Sequence, residues 1–179
     1  LYGQLQYRLF HTSPIPETVI MGRDGWFFIN GNEQNSFVGD FKFSPEELEN
    51  FRLELEYRKE YIERLGGKFY FMVVPSKNVI YSDQMPYTVH AKSKESWGQQ
   101  LNAYLKAESK VSVIDAYPAL SATHAAEMTY LKLDNHWNER GAFYASNAIV
   151  EAMHADFPML HPKPKSDFEV VQTAIGTGN

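Results

Sequence analysis

Phe69-Tyr70-Phe71-Met72-Val73-Val74-Pro75-Ser76-Lys77-Asn78 is the stretch that decides the fold. Six apolar or aromatic residues run without alternation, the pattern of a central parallel strand buried on both faces. Pro75 has no N–H to give a ladder, so the strand stops there. Ser76, Lys77 and Asn78 then fall at its carboxyl end, where open α/β sheets place their ligands. Upstream, Ser44-Pro45-Glu46-Glu47 predicts a helix start, with Ser44 as cap, Pro45 in the first turn and Glu47 closing the capping box. Leu48, Phe51, Leu55, Ile62 and Leu65 predict one apolar stripe along that helix, ended by Gly66-Gly67. Downstream, Trp97, Leu101 and Leu105 mark the buried side of a second helix, and Val111-Ser112-Val113-Ile114-Asp115 a second buried strand. Tyr117-Pro118-Ala119-Leu120 begins a connection to a third helix, capped by Asn138, with Ala142, Ala145, Ile149 and Ala152 facing inward as far as Asp156-Phe157-Pro158. Strand and helix in alternation imply right-handed crossovers and a three-layer α/β/α fold with a mostly parallel sheet.

The flanks add smaller elements. Val19-Ile20-Met21 and Trp26-Phe27-Phe28-Ile29 enclose Gly22-Arg23-Asp24-Gly25, a hairpin whose Asp-Gly pair supplies positive φ. Residues 30–43 are polar and rich in Gly and Asn, and read as a loop. Leu1, Leu5 and Leu9 suggest the tail of a helix ended by Ser13-Pro14-Ile15-Pro16. Phe168-Glu169-Val170-Val171 reads as one more strand, and residues 176–179 as loop. The expectation is a single domain over 1–179, incomplete at both ends, since Leu1 is not an initiator methionine and no signal peptide precedes the first element.

With 179 residues, 44% of them hydrophobic, and 3 Trp, 11 Tyr and 12 Phe, the chain can bury a sizeable core. A formal charge of −5 argues against nucleic acid as a partner. No apolar run is long enough to span a bilayer. Zero cysteines exclude disulfides, thiolate metal sites and a cysteine nucleophile.

The chemistry concentrates in Tyr130-Leu131-Lys132-Leu133-Asp134-Asn135-His136-Trp137-Asn138-Glu139-Arg140-Gly141-Ala142. In extended backbone, residues two apart point to one side, so Asp134 can accept the His136 ring N–H, fix its tautomer and stabilise the imidazolium. The other ring nitrogen is then free to take a proton from a hydroxyl. A structural pair at a helix entrance is the competing reading. Lys77, at the sheet edge, could offer positive charge to an oxyanion or a substrate carboxylate, or simply be solvated. Tyr81 reads as rim packing, with substrate contact as the alternative. Ser76 lacks the flanking glycines of a nucleophile elbow and reads as a capping or turn hydroxyl. Trp137 reads as a packing anchor beneath the imidazole. His124 with Asp134 and His136 would make a two-histidine, one-carboxylate set, but the spacing does not support it and no metal is expected.

Three phrases together resemble the alginate O-acetyltransferase family with its SGNH-hydrolase-like domain. They are Val19-Ile20-Met21-Gly22-Arg23-Asp24-Gly25-Trp26-Phe27-Phe28, Pro75-Ser76-Lys77-Asn78-Val79-Ile80-Tyr81, and Asp134-Asn135-His136-Trp137-Asn138 with Gly141-Ala142. The resemblance implies a flavodoxin-like SGNH domain and a Ser-His-Asp triad that transfers acetyl groups to an exported or cell-surface polysaccharide. It implies no cofactor, a periplasmic location with any inner-membrane anchor outside these residues, and a membrane-bound acyltransferase partner as acetyl donor. Asp134 and His136 match the family's pair. The family's serine has no match: after His136 only Ser146 and Ser166 occur, one within the third helix and one in a Pro/Lys-rich loop. Gly176-Thr177-Gly178 carries Gly where a nucleophile would stand. The nucleophile is therefore expected beyond Asn179, and this polypeptide alone is expected to be nearly inactive. The rival expectations are a non-catalytic carbohydrate-binding or assembly module of the same fold, and a carbohydrate acetylesterase.

Overall fold

A computed structural model describes residues 13–93, 95–169 and 171. The helix expected over 1–10 and the loop expected over 176–179 lie outside these residues. The order of elements is β1 (Val19–Met21), β2 (Phe27–Ile29), α1 (Asn32–Val38), α2 (Pro45–Arg64), β3 (Tyr70–Val73), α3 (Lys77–Ile80), α4 (Trp97–Glu108), β4 (Ser112–Asp115), α5 (Tyr117–Thr123) and α6 (Glu139–Met153). The fold is α/β, with two strands paired in each of two sheets among the described residues.

β3 and β4 pair in parallel, Tyr70 opposite Ser112 through Val73 opposite Asp115. The side chains of β3 alternate between two cores. Phe71 and Val73 pack on one side against Leu48, Leu55, Leu101, Leu105 and Val111, from α2, α4 and the start of β4. Met72 packs on the other, against the hairpin, α3, α5 and α6 through Phe28, Ile80, Leu120 and Ala145. A sheet with helices on both faces follows. Full burial of β3 does not: each of its four residues is half-buried, with β4 the single strand beside it among the described residues.

The hairpin forms as its turn residues dictate. β1 and β2 run antiparallel, and Asp24 (φ 51°) and Gly25 (φ 75°) adopt the left-handed backbone between them. The capping box of α2 is present in both directions, Glu47 N–H donating to Ser44 Oγ at 3.2 Å and Ser44 N–H to Glu47 Oε2 at 2.8 Å. The expected stripe on α2 is narrower than its spacing suggests. Leu48 and Leu55, seven apart, are buried, whereas Phe51 is edge-on to Phe43 at the border and Leu65 is exposed beyond the helix end. On α6 the packing runs out along the helix: Gly141 and Ala145 are buried, Ile149 is half-buried and Ala152 is exposed.

Two segments depart from expectation. Residues 30–43 contain a helix, α1, ended by Gly39 at φ 78°. Its buried side chains are Gln34 and Ser36, and Gln34 Oε1 accepts from Asn78 Nδ2 at 3.2 Å. With Gln34 and Ser36 as its buried residues and Phe37 alone packed on the apolar core beside them, the helix shows no apolar period to read. Phe168 and Glu169 form no strand, and Val170 lies outside the described residues.

Candidate active site around the Asp134–His136 loop

Residues 131–136 form a short excursion closed at its base. Tyr130 and Trp137 face each other in an antiparallel bridge, and Leu131 N–H donates to His136 O at 3.0 Å. Asn138 then starts α6. Its Oδ1 accepts from the backbone N–H groups of Arg140 and Gly141, both at 3.0 Å, and its own N–H donates to Thr129 O at 3.0 Å. Gly141 permits this approach, since a Cβ there would overlap the Thr129 carbonyl oxygen and stand 2.8 Å from Trp137 Cβ.

Within the loop, Asp134 Oδ1 accepts two bonds from His136, from the backbone N–H at 2.8 Å and from ring Nδ1 at 2.6 Å. The expected pair therefore forms, but by another route. The backbone of 132–136 is bent, not extended, and the aspartate closes a turn on the residue two ahead before orienting its ring. A carboxylate only accepts, so Nδ1 carries the proton and Nε2 presents a lone pair. The His136 side chain is 83% exposed, and no described residue bonds Nε2. The His136 backbone N–H, and then its ring, hold the Asp134 carboxyl below the usual aspartate range. Because that pKa is lowered by folding, its contribution is present above the ordinary 3.8 and is lost as pH falls through the folded value.

His136, Asn135 and Trp137 form one edge of a cleft of about 630 Å³, with Ser76, Trp97 and Glu33 among its other lining residues. Glu33 on α1 accepts from Asn135 Nδ2 at 3.3 Å across 102 positions of sequence. Glu33 was not marked by the sequence, because α1 itself is hidden there. Ser76 Oγ is buried and makes no hydrogen bond, so His136 does not engage it. Ser146 donates its hydroxyl to Phe143 O at 2.9 Å, the back-bond of a helical serine.

Lys77 and Tyr81 stand beneath the loop and not in the cleft. Lys77 is fully buried, and its ammonium donates to the carbonyls of Phe27, Lys132 and Asp134 at 2.6, 2.8 and 3.0 Å. All three of its N–H groups are occupied, which leaves none for an oxyanion or a substrate carboxylate. Tyr81 is 3% exposed, stacks on Trp26 with ring centroids 4.3 Å apart, and accepts the Thr129 N–H at 2.8 Å. For Lys77 the expected exposed charge is thus corrected to a buried support of the loop, and for Tyr81 the packing reading holds, with the side chain inside the core and not at a rim. Tyr81→Phe leaves the Thr129 N–H buried without an acceptor, and is expected to lower unfolding free energy by about 1–3 kcal/mol in urea denaturation. His124 is turned away, its Nδ1 2.6 Å from Ser121 O, and no metal-holding group of three such side chains occurs among the described residues.

Residues 19–177 match the family described as SGNH hydrolase-like domain, acetyltransferase AlgX. The chain belongs to this family. Among curated relatives, the probable alginate O-acetylase AlgJ of Pseudomonas syringae pv. tomato is 22% identical over 183 residues, which is 100% of this chain and 44% of that protein. The Pseudomonas fluorescens protein of the same description is 23% identical over 170 residues, 92% of this chain and 40% of its own length. The chain thus spans less than half the length of these relatives. Among solved structures, the O-acetyltransferase domain of Pseudomonas putida AlgJ superposes with a TM-score of 0.57 at 23% identity, over 82% of this chain and 50% of that one. Bacillus cereus PatB1 gives 0.58 at 19% identity, over 84% of this chain and 47% of that one. These likenesses show the SGNH-hydrolase-like fold expected for the family member.

Proposed function

We propose that His136 is the base, and Asp134 its orienter, in a site that transfers acetyl groups to hydroxyls of an exported polysaccharide. The observation that carries this reading is the His136 imidazole, tied through Nδ1 to a carboxylate and open at Nε2 on the edge of a cleft. Family membership supports it. The nucleophile is a serine from the part of the relatives' length that this chain does not span. Nε2 takes the serine proton as the oxygen attacks the acetyl carbonyl, and the imidazolium returns it to the departing donor oxygen. In the second half-reaction Nε2 takes the proton of a sugar hydroxyl as its oxygen bonds to the acetyl carbonyl carbon, the acetyl–serine bond breaks, and the imidazolium returns the proton to the serine oxygen. The reaction needs no cofactor. Its setting is the periplasm, with a membrane-bound acyltransferase delivering the acetyl group.

The test is direct. The full-length protein is incubated with an activated acetyl ester, with and without a polysaccharide acceptor, and digested for mass spectrometry. A serine is expected to carry the acetyl group and to lose it when acceptor is added. Acceptor acetylation with no serine adduct, or no acetylation of either, overturns the reading. An adduct on Ser76 moves the nucleophile into this chain.

A further inference from the structure

We propose that Lys77 is a positioning residue of this site, an internal ammonium that fixes where the Asp134–His136 loop stands relative to the hairpin. The inference rests on the acyl-transfer reading for its consequence and on geometry for its substance. Three carbonyl oxygens from segments 50, 55 and 57 positions away converge on one nitrogen, at 2.6, 2.8 and 3.0 Å. An ammonium has three donors, so the match is one to one. Two of the carbonyls belong to the loop, those of Lys132 and Asp134, and the third to Phe27 on β2. Phe27 N–H also donates to Lys132 O at 3.0 Å, so strand and lysine grip the same loop atom.

The position of Asp134 makes the contact functional. Its backbone oxygen is held by Lys77 and its side-chain oxygen holds the His136 ring, so one residue connects the ammonium to the imidazole. The Trp26 and Phe28 rings stand 5.0 and 5.1 Å from the ammonium and supply cation–π attraction without competing donors. Arginine would bring a planar fork to three oxygens arranged for a compact ammonium, so it is no substitute. Lys77 does not line the cleft and touches no reacting atom.

Burial pulls the Lys77 pKa down to about 8 from its ordinary 10.5, and the Asp134 carboxylate opposes that shift. Around the ammonium, the loop contributes that carboxylate, while the hairpin contributes the two rings and the Phe27 carbonyl. A neutral amine has two N–H groups for three carbonyls, so the loop loses a tether as the proton leaves. The effect on folding has the opposite sign. The folded state releases this proton first, so Lys77 makes stability rise between pH 8 and 10.5.

The test uses the full-length protein and its Lys77→Met and Lys77→Arg variants. With an acetyl ester, the Met variant is expected to lose about 100-fold in kcat with KM nearly unchanged, the scale of a displaced catalytic group. Arg is expected not to restore it. In the wild type, kcat falls above about pH 8 while the melting temperature does not fall with it; in the Met variant that limb is missing. Where the Met variant does not fold, the wild type decides: the His136 Nδ1 proton resonance shifts as the ¹⁵N signal of the Lys77 ammonium titrates. A folded Met variant with wild-type kcat, rescue by Arg, or a His136 resonance blind to that titration overturns the proposal. Absence of an acetyl-serine in the wild type instead sinks the acyl-transfer reading, and the resonance measurement still judges the tether.

Discussion

His136→Ala in the full-length protein is expected to lower acetyl transfer by about 10⁴-fold or more, the scale of loss when one member of a triad is removed. The melting temperature is expected to stay within about 1 °C, because substitutions at exposed positions stay near ±0.5 kcal/mol. The two expectations follow from one arrangement. The ring is 83% exposed and contributes little to the core, and the turn it belongs to is closed by its backbone N–H, which alanine retains. What alanine removes is the Nε2 lone pair. Glu33 is the one carboxylate among the described lining residues of the cleft, and Asn135 Nδ2 ties its Oε1 at 3.3 Å. Rates with a chromogenic acetyl ester, alongside a thermal melt, check both halves. A variant that keeps a tenth of the wild-type rate removes His136 from the chemistry. One that melts far lower shows that the imidazole is structural after all.

How much of this was legible beforehand depended on where the partners lay. The hairpin was readable because Asp24 and Gly25 carry their conformation in their own chemistry. So was α2, whose capping box lies within four residues, and so was the Asp134–His136 pair, whose members are two apart. The pair was right for a partly different reason, since a turn and not an extended strand brings the side chains together. Lys77 was misread because nothing within its own neighbourhood reveals that three distant carbonyls meet there. A lysine at the end of a strand is ordinarily solvated, and only the assembled fold supplies the acceptors that let it be buried. α1 escaped for a related cause: its buried residues are Gln34 and Ser36, and polar burial such as that of Gln34 against Asn78 leaves no mark in a hydrophobic pattern.

Gly141→Ala supplies the second large effect, and its sign is the informative part. In the first turn of a helix, replacing Gly by Ala ordinarily stabilises by up to about 1 kcal/mol through backbone entropy. Here the new methyl would overlap the Thr129 carbonyl oxygen and press on Trp137 Cβ at 2.8 Å. Thr129 cannot simply yield. Its oxygen accepts the Asn138 N–H that starts α6, and its own N–H is held by the buried Tyr81 hydroxyl. Overpacking against so tethered a backbone costs about 1–3 kcal/mol or more and exceeds the propensity gain. A net loss of about 2 kcal/mol is expected, a fall of about 4–8 °C in melting temperature for a chain of this size. Trp137 adjoins His136, so relief of the overlap displaces the imidazole, and acetyl transfer should fall more steeply than the folded fraction does. Denaturation and rate measured on the same preparation separate these terms. A Gly141→Ala protein more stable than the wild type would mean that α6 does not approach Thr129 this closely, and the base would then lack the floor on which its loop is set.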